Sequence, residues 1–315
     1  MNLSTRFARK PLAAAITAAC LTLGAASVGA ADWSDTSISY RYGTKFREPF
    51  DNTGPTNNDP LDITKNIVAL THASGYKYGT NFFNVDLLMS DKNDPASCPN
   101  FQCTGEAQEV YIVYRNTVDI GKVMGKELNA GWVRGWGVTF GFDANAKTDA
   151  GYNSKKRMLV LGPTAMWDVP GFFNLSILAL WESNAPCTTF PPAAVGYPAS
   201  GCVPRYSYKT HPMLTGAWGI PIGGSGFSFE GFMNIIAQKG KNEFGGDTAT
   251  ETNFDGEIMY DLSRIGLGSK GMFKVGLEYQ YWKNKFGNDA SIPGPNGPGP
   301  GAFAKTPMIR AEYHF

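Results

Sequence analysis

Beyond its first 30 residues the chain has no apolar run of the roughly 20 residues that a membrane-crossing helix requires. It has no excess of one charge: 28 Lys+Arg stand against 27 Asp+Glu, and without those 30 residues 25 stand against 27, a formal charge of −2. That balance excludes the basic footprint of a nucleic-acid binder. Histidine is scarce, at His72, His211 and His314, and there is no HExxH, CxxC or phosphate-loop pattern. The common zinc, redox and nucleotide chemistries therefore find no motif. No serine falls on the same face as a histidine by strand parity, so a lipase-like triad is not expected either. The reading is a protein without catalytic activity, metal or other cofactor.

The N-terminus reads as a secretory signal peptide. Arg6, Arg9 and Lys10 precede an apolar stretch, Leu12 to Ala26, too short for a membrane helix, and Val28-Gly29-Ala30 offers small residues for cleavage. Residues 1–30 are assigned to the signal and 31–315 to one mature domain. Cys20 raises a lipoprotein alternative, which Thr17, three residues before it, disfavours. The mature chain keeps Cys98, Cys103, Cys187 and Cys202, an even set that in an exported chain reads as disulfides. Proximity favours Cys98–Cys103 and Cys187–Cys202 among the three pairings.

Glycine, at 37 residues, and 13% aromatics suit strands and tight turns. The last residues alternate: Ile309, Ala311, Tyr313 and Phe315 are apolar, whereas Arg310, Glu312 and His314 are polar. This is a strand with one apolar and one wet face, and its terminal Phe315 resembles the assembly signal of outer-membrane barrels. About twelve such segments are predicted, near 34–46, 62–73, 80–90, 107–116, 132–145, 155–168, 172–184, 205–220, 226–240, 251–262, 272–286 and 304–315. Each reaches the ~9–11 residues of a tilted membrane strand. The odd connections are long and polar or rich in Pro and Gly; the even ones are short, except 117–131, where a short helix is expected. That parity fits a barrel with short periplasmic turns, long external loops and both termini inside. The fold expected is all-β, a transmembrane antiparallel barrel in the outer membrane of a Gram-negative-type cell.

Alternation assigns side chains to the lumen: Arg41, Lys45, Asp86, Glu109, Tyr111, Arg115, Asp143, Glu182, Lys209, His211, Glu230, Asn234, Gln238, Asp255, Glu257, Lys274, Glu278, Gln280, Arg310 and Glu312. Both signs are interspersed, which favours neutral or zwitterionic cargo over an ion of one sign. The competing reading is that these charges pair across strands and brace the wall. Phe82, Tyr111, Phe232 and Trp282 are candidate inward rings, able to stack on a base or simply to pack. Tyr40, Tyr42, Trp132, Trp136, Trp167, Trp181, Tyr206, Tyr208, Trp218, Tyr281 and Tyr313 are assigned to interfacial girdles.

The segment H-A-S-G-Y-K-Y-G-T-N-F-F-N-V-D-L, His72 to Leu87, resembles a hairpin of the Tsx/OmpK family of nucleoside-specific outer-membrane channels. The resemblance implies a narrow twelve-stranded channel for small solutes, with nucleosides as the best-known cargo and receptor use by some phages or bacteriocins. The Cys-bearing loops and the Gly/Pro-rich last loop depart from that pattern. Two functions stand: a diffusion channel for small hydrophilic solutes, or a non-conducting structural or receptor barrel acting through its external loops. Expected partners are outer-membrane lipid, the barrel-assembly machinery and a small solute. The barrel is expected to be a monomer and to bind no nucleic-acid polymer.

Overall fold

The computed structural model describes residues 31–50, 60–96, 105–189, 196–293 and 299–315. The signal segment and the pair Cys98 and Cys103 lie outside these residues. Twelve long strands follow one another: β1 (Trp33–Phe46), β2 (Ile63–Tyr76), β3 (Gly79–Ser90), β4 (Gln108–Asp119), β5 (Val133–Lys147) and β6 (Arg157–Trp167). They continue as β7 (Phe172–Asn184), β8 (His211–Pro221), β9 (Phe227–Ile236), β10 (Glu251–Asp261), β11 (Phe273–Lys283) and β12 (Phe303–His314). Each pairs antiparallel with its sequence neighbours, and β12 pairs with β1 to close the ring. Closure satisfies every strand edge, which an apolar solvent demands.

The registers carry the alternation round the wall. Opposite one another on the inner face run Arg41 and Arg310, Ala69 and Asp86, Asp86 and Tyr111, Glu257 and Glu278, and Lys274 and Glu312. The outer face carries Ile38, Phe140, Leu159, Ile177, Leu277 and Ile309, all exposed, with Leu277 at 69%. An apolar surface continuous around a molecule is untenable in water. With a polar interior it defines a barrel that spans a bilayer.

Three predicted boundaries need correction. The segment 205–220 is broken: a two-residue strand, Tyr206–Ser207, pairs with β7, and the chain leaves the ladder before His211. There Lys209 N–H donates to Lys239 O at 3.1 Å, so a loop contact replaces the strand. Strand β9 stops at Ile236, four residues before the predicted end at 240. In β1 the register shifts between Gly43 and Phe46. That bulge turns Phe46 inward and leaves Lys45 exposed, so Lys45 does not face the lumen. The expected helix in 117–131 is α1 (Ile120–Met124); Asp119 caps it through Lys122 N–H, and Gly125 ends it at φ 63°.

Candidate functional site

The inward faces of β1, β3, β10, β11 and β12 converge on one charged network. Arg41 pairs with Asp86 and approaches Glu278 at 3.4 Å. Arg310 reaches Glu278 at 2.9 Å, Glu257 at 3.4 Å and Glu312 at 2.6 Å. Gln280 donates to Asp255 at 3.0 Å, and carboxylate oxygens of Asp255, Glu257 and Glu278 lie within 4.8 Å of one another. His314 contacts Glu312 at 3.1 Å. On β4 and β5, Arg115 pairs with Asp143, to which the Tyr111 hydroxyl donates at 3.2 Å. Lys274 and Glu230 pair at 3.0 Å. Thirteen of the twenty side chains assigned to the lumen thus stand in these contacts, on the inner wall. His211 stands apart: it is buried on β8, its Nδ1 2.8 Å from Lys209 O.

Access is graded along the barrel axis. Near the short turns, Arg115, Glu230 and Lys274 keep 21%, 26% and 19% of their side chains accessible. Phe82 and Phe232, also inward by register, are exposed. Toward the long loops the interior is packed. Val160, Leu178, Leu180 and Met213 form one buried cluster, and Phe46, Ile63, Ile67 and Met308 a second. On the inner face of β7 alternation assigns Glu182 to the lumen and passes over the apolar Leu178 and Leu180. The missed signal is the almost continuous apolar run Leu175 to Trp181, which reads as a strand buried on both sides.

Buried lysines are the second missed feature. At the long-loop end Lys65 and Lys147 surround Glu48, at 2.8 and 3.4 Å, and Asp94, at 3.4 and 3.2 Å. Lys285 joins at 3.5 Å from Glu48 and donates to Arg47 O. Burial alone would raise both carboxyls, but the lysines outweigh it: Glu48 is held well below its usual range and Asp94 at about 2. Burial brings the Lys285 ammonium down to about 8, against the pull of Glu48. On the other side Glu182 is held by Lys239 at 2.8 Å and Lys156 at 3.1 Å. Lysines flanked by apolar inward residues, such as Lys65 between Ile63 and Ile67, are the sequence trace of these clusters.

Of the predicted girdle, Tyr40, Tyr42, Trp132, Trp136, Trp181 and Tyr313 are exposed outside. Tyr208 does not belong to it: it is buried in a loop, its hydroxyl donating to Glu243 at 2.5 Å with Lys239 over its ring. Trp218 is outward but covered, between Phe229 and Phe254. Trp282 turns inward and donates to Glu251 at 2.7 Å. Lys209 is exposed in the loop before β8 rather than on the inner wall. Cys187 and Cys202 are joined as a disulfide. Phe315 donates its N–H to Thr36 O at 2.9 Å, tying the last residue to β1.

The chain is a transmembrane antiparallel β-barrel of the outer-membrane type, on the evidence of its closed ring, lipid-suited exterior and charged interior. No family model matches it, and no curated protein is similar to it in sequence. Among solved structures it is similar to an outer-membrane channel from Pseudomonas putida F1, at 12% identity and a TM-score of 0.45, covering 92% of this chain and 100% of that one. It is similar to the KdgM porin at 9% identity and a TM-score of 0.39, covering 89% and 99%. The translocator domain of the autotransporter NalP from Neisseria meningitidis is 11% identical, with a TM-score of 0.40 and 96% of each chain covered. Membership of the Tsx/OmpK family finds no support in these comparisons.

Proposed function

We propose that the protein is an outer-membrane channel for passive diffusion of small hydrophilic solutes, exported by the segment 1–30. The carrying observation is the wet, mixed-charge half of the lumen, where Asp86, Arg115, Glu230 and Lys274 remain accessible. A twelve-stranded ring is wider than the eight strands whose side chains just fill the interior. Paired charges of both signs create no net barrier to a neutral solute. Phe82 and Phe232 add ring faces suited to stacking, which supports a nucleoside as cargo.

The packed outer half favours a second reading, a non-conducting barrel whose loops receive a partner. Under the channel reading those side chains must move aside during permeation. Single-channel recording of the refolded, signal-free protein in a planar bilayer, with nucleosides titrated in, decides between them. Conductance blocked saturably by nucleosides supports the channel and its cargo. Conductance without block keeps the channel and removes the cargo. Silence from folded protein overturns the channel.

A further inference from the structure

We infer that the outer wall over β4 to β7 holds a membrane lipid with a phosphorylated head group. The inference shares the membrane orientation used above but not the open pore. Tyr114, Phe140, Phe142, Leu159, Leu161 and Trp181 line an open groove of about 610 Å³ on the exterior. Its walls are exposed, Leu159 at 60%. An apolar groove on a membrane-facing wall fits acyl chains, and by itself would not choose among lipids.

The choice comes from what stands above it. Arg157 lies two residues beyond Leu159 on the same outward face, toward the long loops. Its register partner is Ser183, two residues beyond Trp181. Arg205 donates Nη1 to Ser183 Oγ and Nη2 to the Lys155 carbonyl, both at 3.1 Å. Lys155 directs its ammonium at Cys187 Sγ, 3.2 Å away, a poor partner for a charge. All three cations are exposed, and among the described residues none of them forms an ion pair. Their neighbour Lys156 turns inward to Glu182 instead. The disulfide loop between them, residues 185–204, contains no Asp or Glu.

Three cations without counter-charges repel one another: the field of Arg157 contributes, after burial, to lowering the Arg205 pKa. Such a cluster is stabilised by a polyanion, and guanidinium forks match phosphate oxygens in pairs. Placed at the external rim over an acyl-sized groove, it meets the head-group layer of the outer leaflet. A doubly phosphorylated, multiply acylated lipid satisfies both parts at once.

Native mass spectrometry of the refolded mature barrel tests this, using bis-phosphorylated lipid A and its dephosphorylated counterpart with the same acyl chains. The wild type should retain the phosphorylated lipid roughly tenfold or more over the dephosphorylated one. The variant Lys155→Gln, Arg157→Gln, Arg205→Gln should lose that preference while keeping its folded, heat-modifiable gel mobility. A control with Lys77→Gln and Lys270→Gln, exposed at the opposite end, should keep it. Equal retention of the two lipids by the wild type, or equal loss in both variants, overturns the site. Displacement by inorganic phosphate alone would show an anion site without a lipid and would overturn it as well.

Discussion

Arg310 is the residue on which the lumen network turns, because it faces Glu257, Glu278 and Glu312 together. Replacing it with Met leaves Glu257 without its cation, Glu278 with only the 3.4 Å contact to Arg41, and Glu312 with His314. Breaking a buried charge network from one side costs about 3–5 kcal/mol. Arg310→Met should therefore lower the urea midpoint of the barrel in detergent by a large margin, with Arg310→Lys falling between. An unchanged midpoint would mean that water solvates the network. Phe232 belongs to the proposed cargo instead. If a base stacks there, Phe232→Ala should weaken nucleoside block by about tenfold, since base–aromatic stacking contributes roughly 1–3 kcal/mol. The inner face of these residues was legible from alternation alone, because strand parity leaves only two choices per side chain. Their partners were not, because a contact such as Arg41 with Glu278 joins residues far apart in the chain.

At the scale of elements, the long-loop end is tied by charge. Glu48 and Asp94 belong to connections, while Lys65, Lys147 and Lys285 come from β2, β5 and the turn after β11. Asp94, at about 2, lies below its ordinary 3.8, so its contribution is complete above pH 3.8 and is lost as pH falls toward 2. Glu48 has the same sign. Asp149 is raised to about 6 by burial, so its contribution is present below its ordinary 3.8 and is lost as pH rises through 6. Two depressed carboxyls against one raised carboxyl predict loops that loosen as pH falls below about 4. Hydrogen exchange at residues 47–50 and 91–96, corrected for intrinsic rates, should rise in that window; constant protection would refute the tie. The disulfide acts on one loop. Cys187→Ser with Cys202→Ser releases a closure spanning 15 residues and should speed proteolysis of 188–201 while the barrel stays folded. Elements were read with small errors where alternation was regular. The errors fall where a loop contact or a bulge competes with the ladder, as at 208–210 and at Lys45.

For the whole molecule, the last strand is the proposed insertion signal, and its Phe315 is exposed and rests on Tyr313. Phe315→Ala should reduce the outer-membrane fraction of the protein, measured by heat-modifiable mobility after fractionation; normal insertion would show that the terminal strand alone suffices. Deleting 188–201 distinguishes the two functional readings from the other side. A receptor barrel should lose its partner, whereas a channel should conduct as before.

Patterning along the chain specified the β-barrel class, the strand number and the inward face of most of the charged wall residues. Each follows from period-two patterning and loop parity, which are local properties of the chain. The packing of the outer half of the lumen and the wetness of the inner half emerge from the folded barrel. So do the burial of the lysines in charge clusters and the gathering of Lys155, Arg157 and Arg205 beside an apolar groove. Those outcomes depend on register and on loops folding over the ring, and they join residues that no local pattern relates.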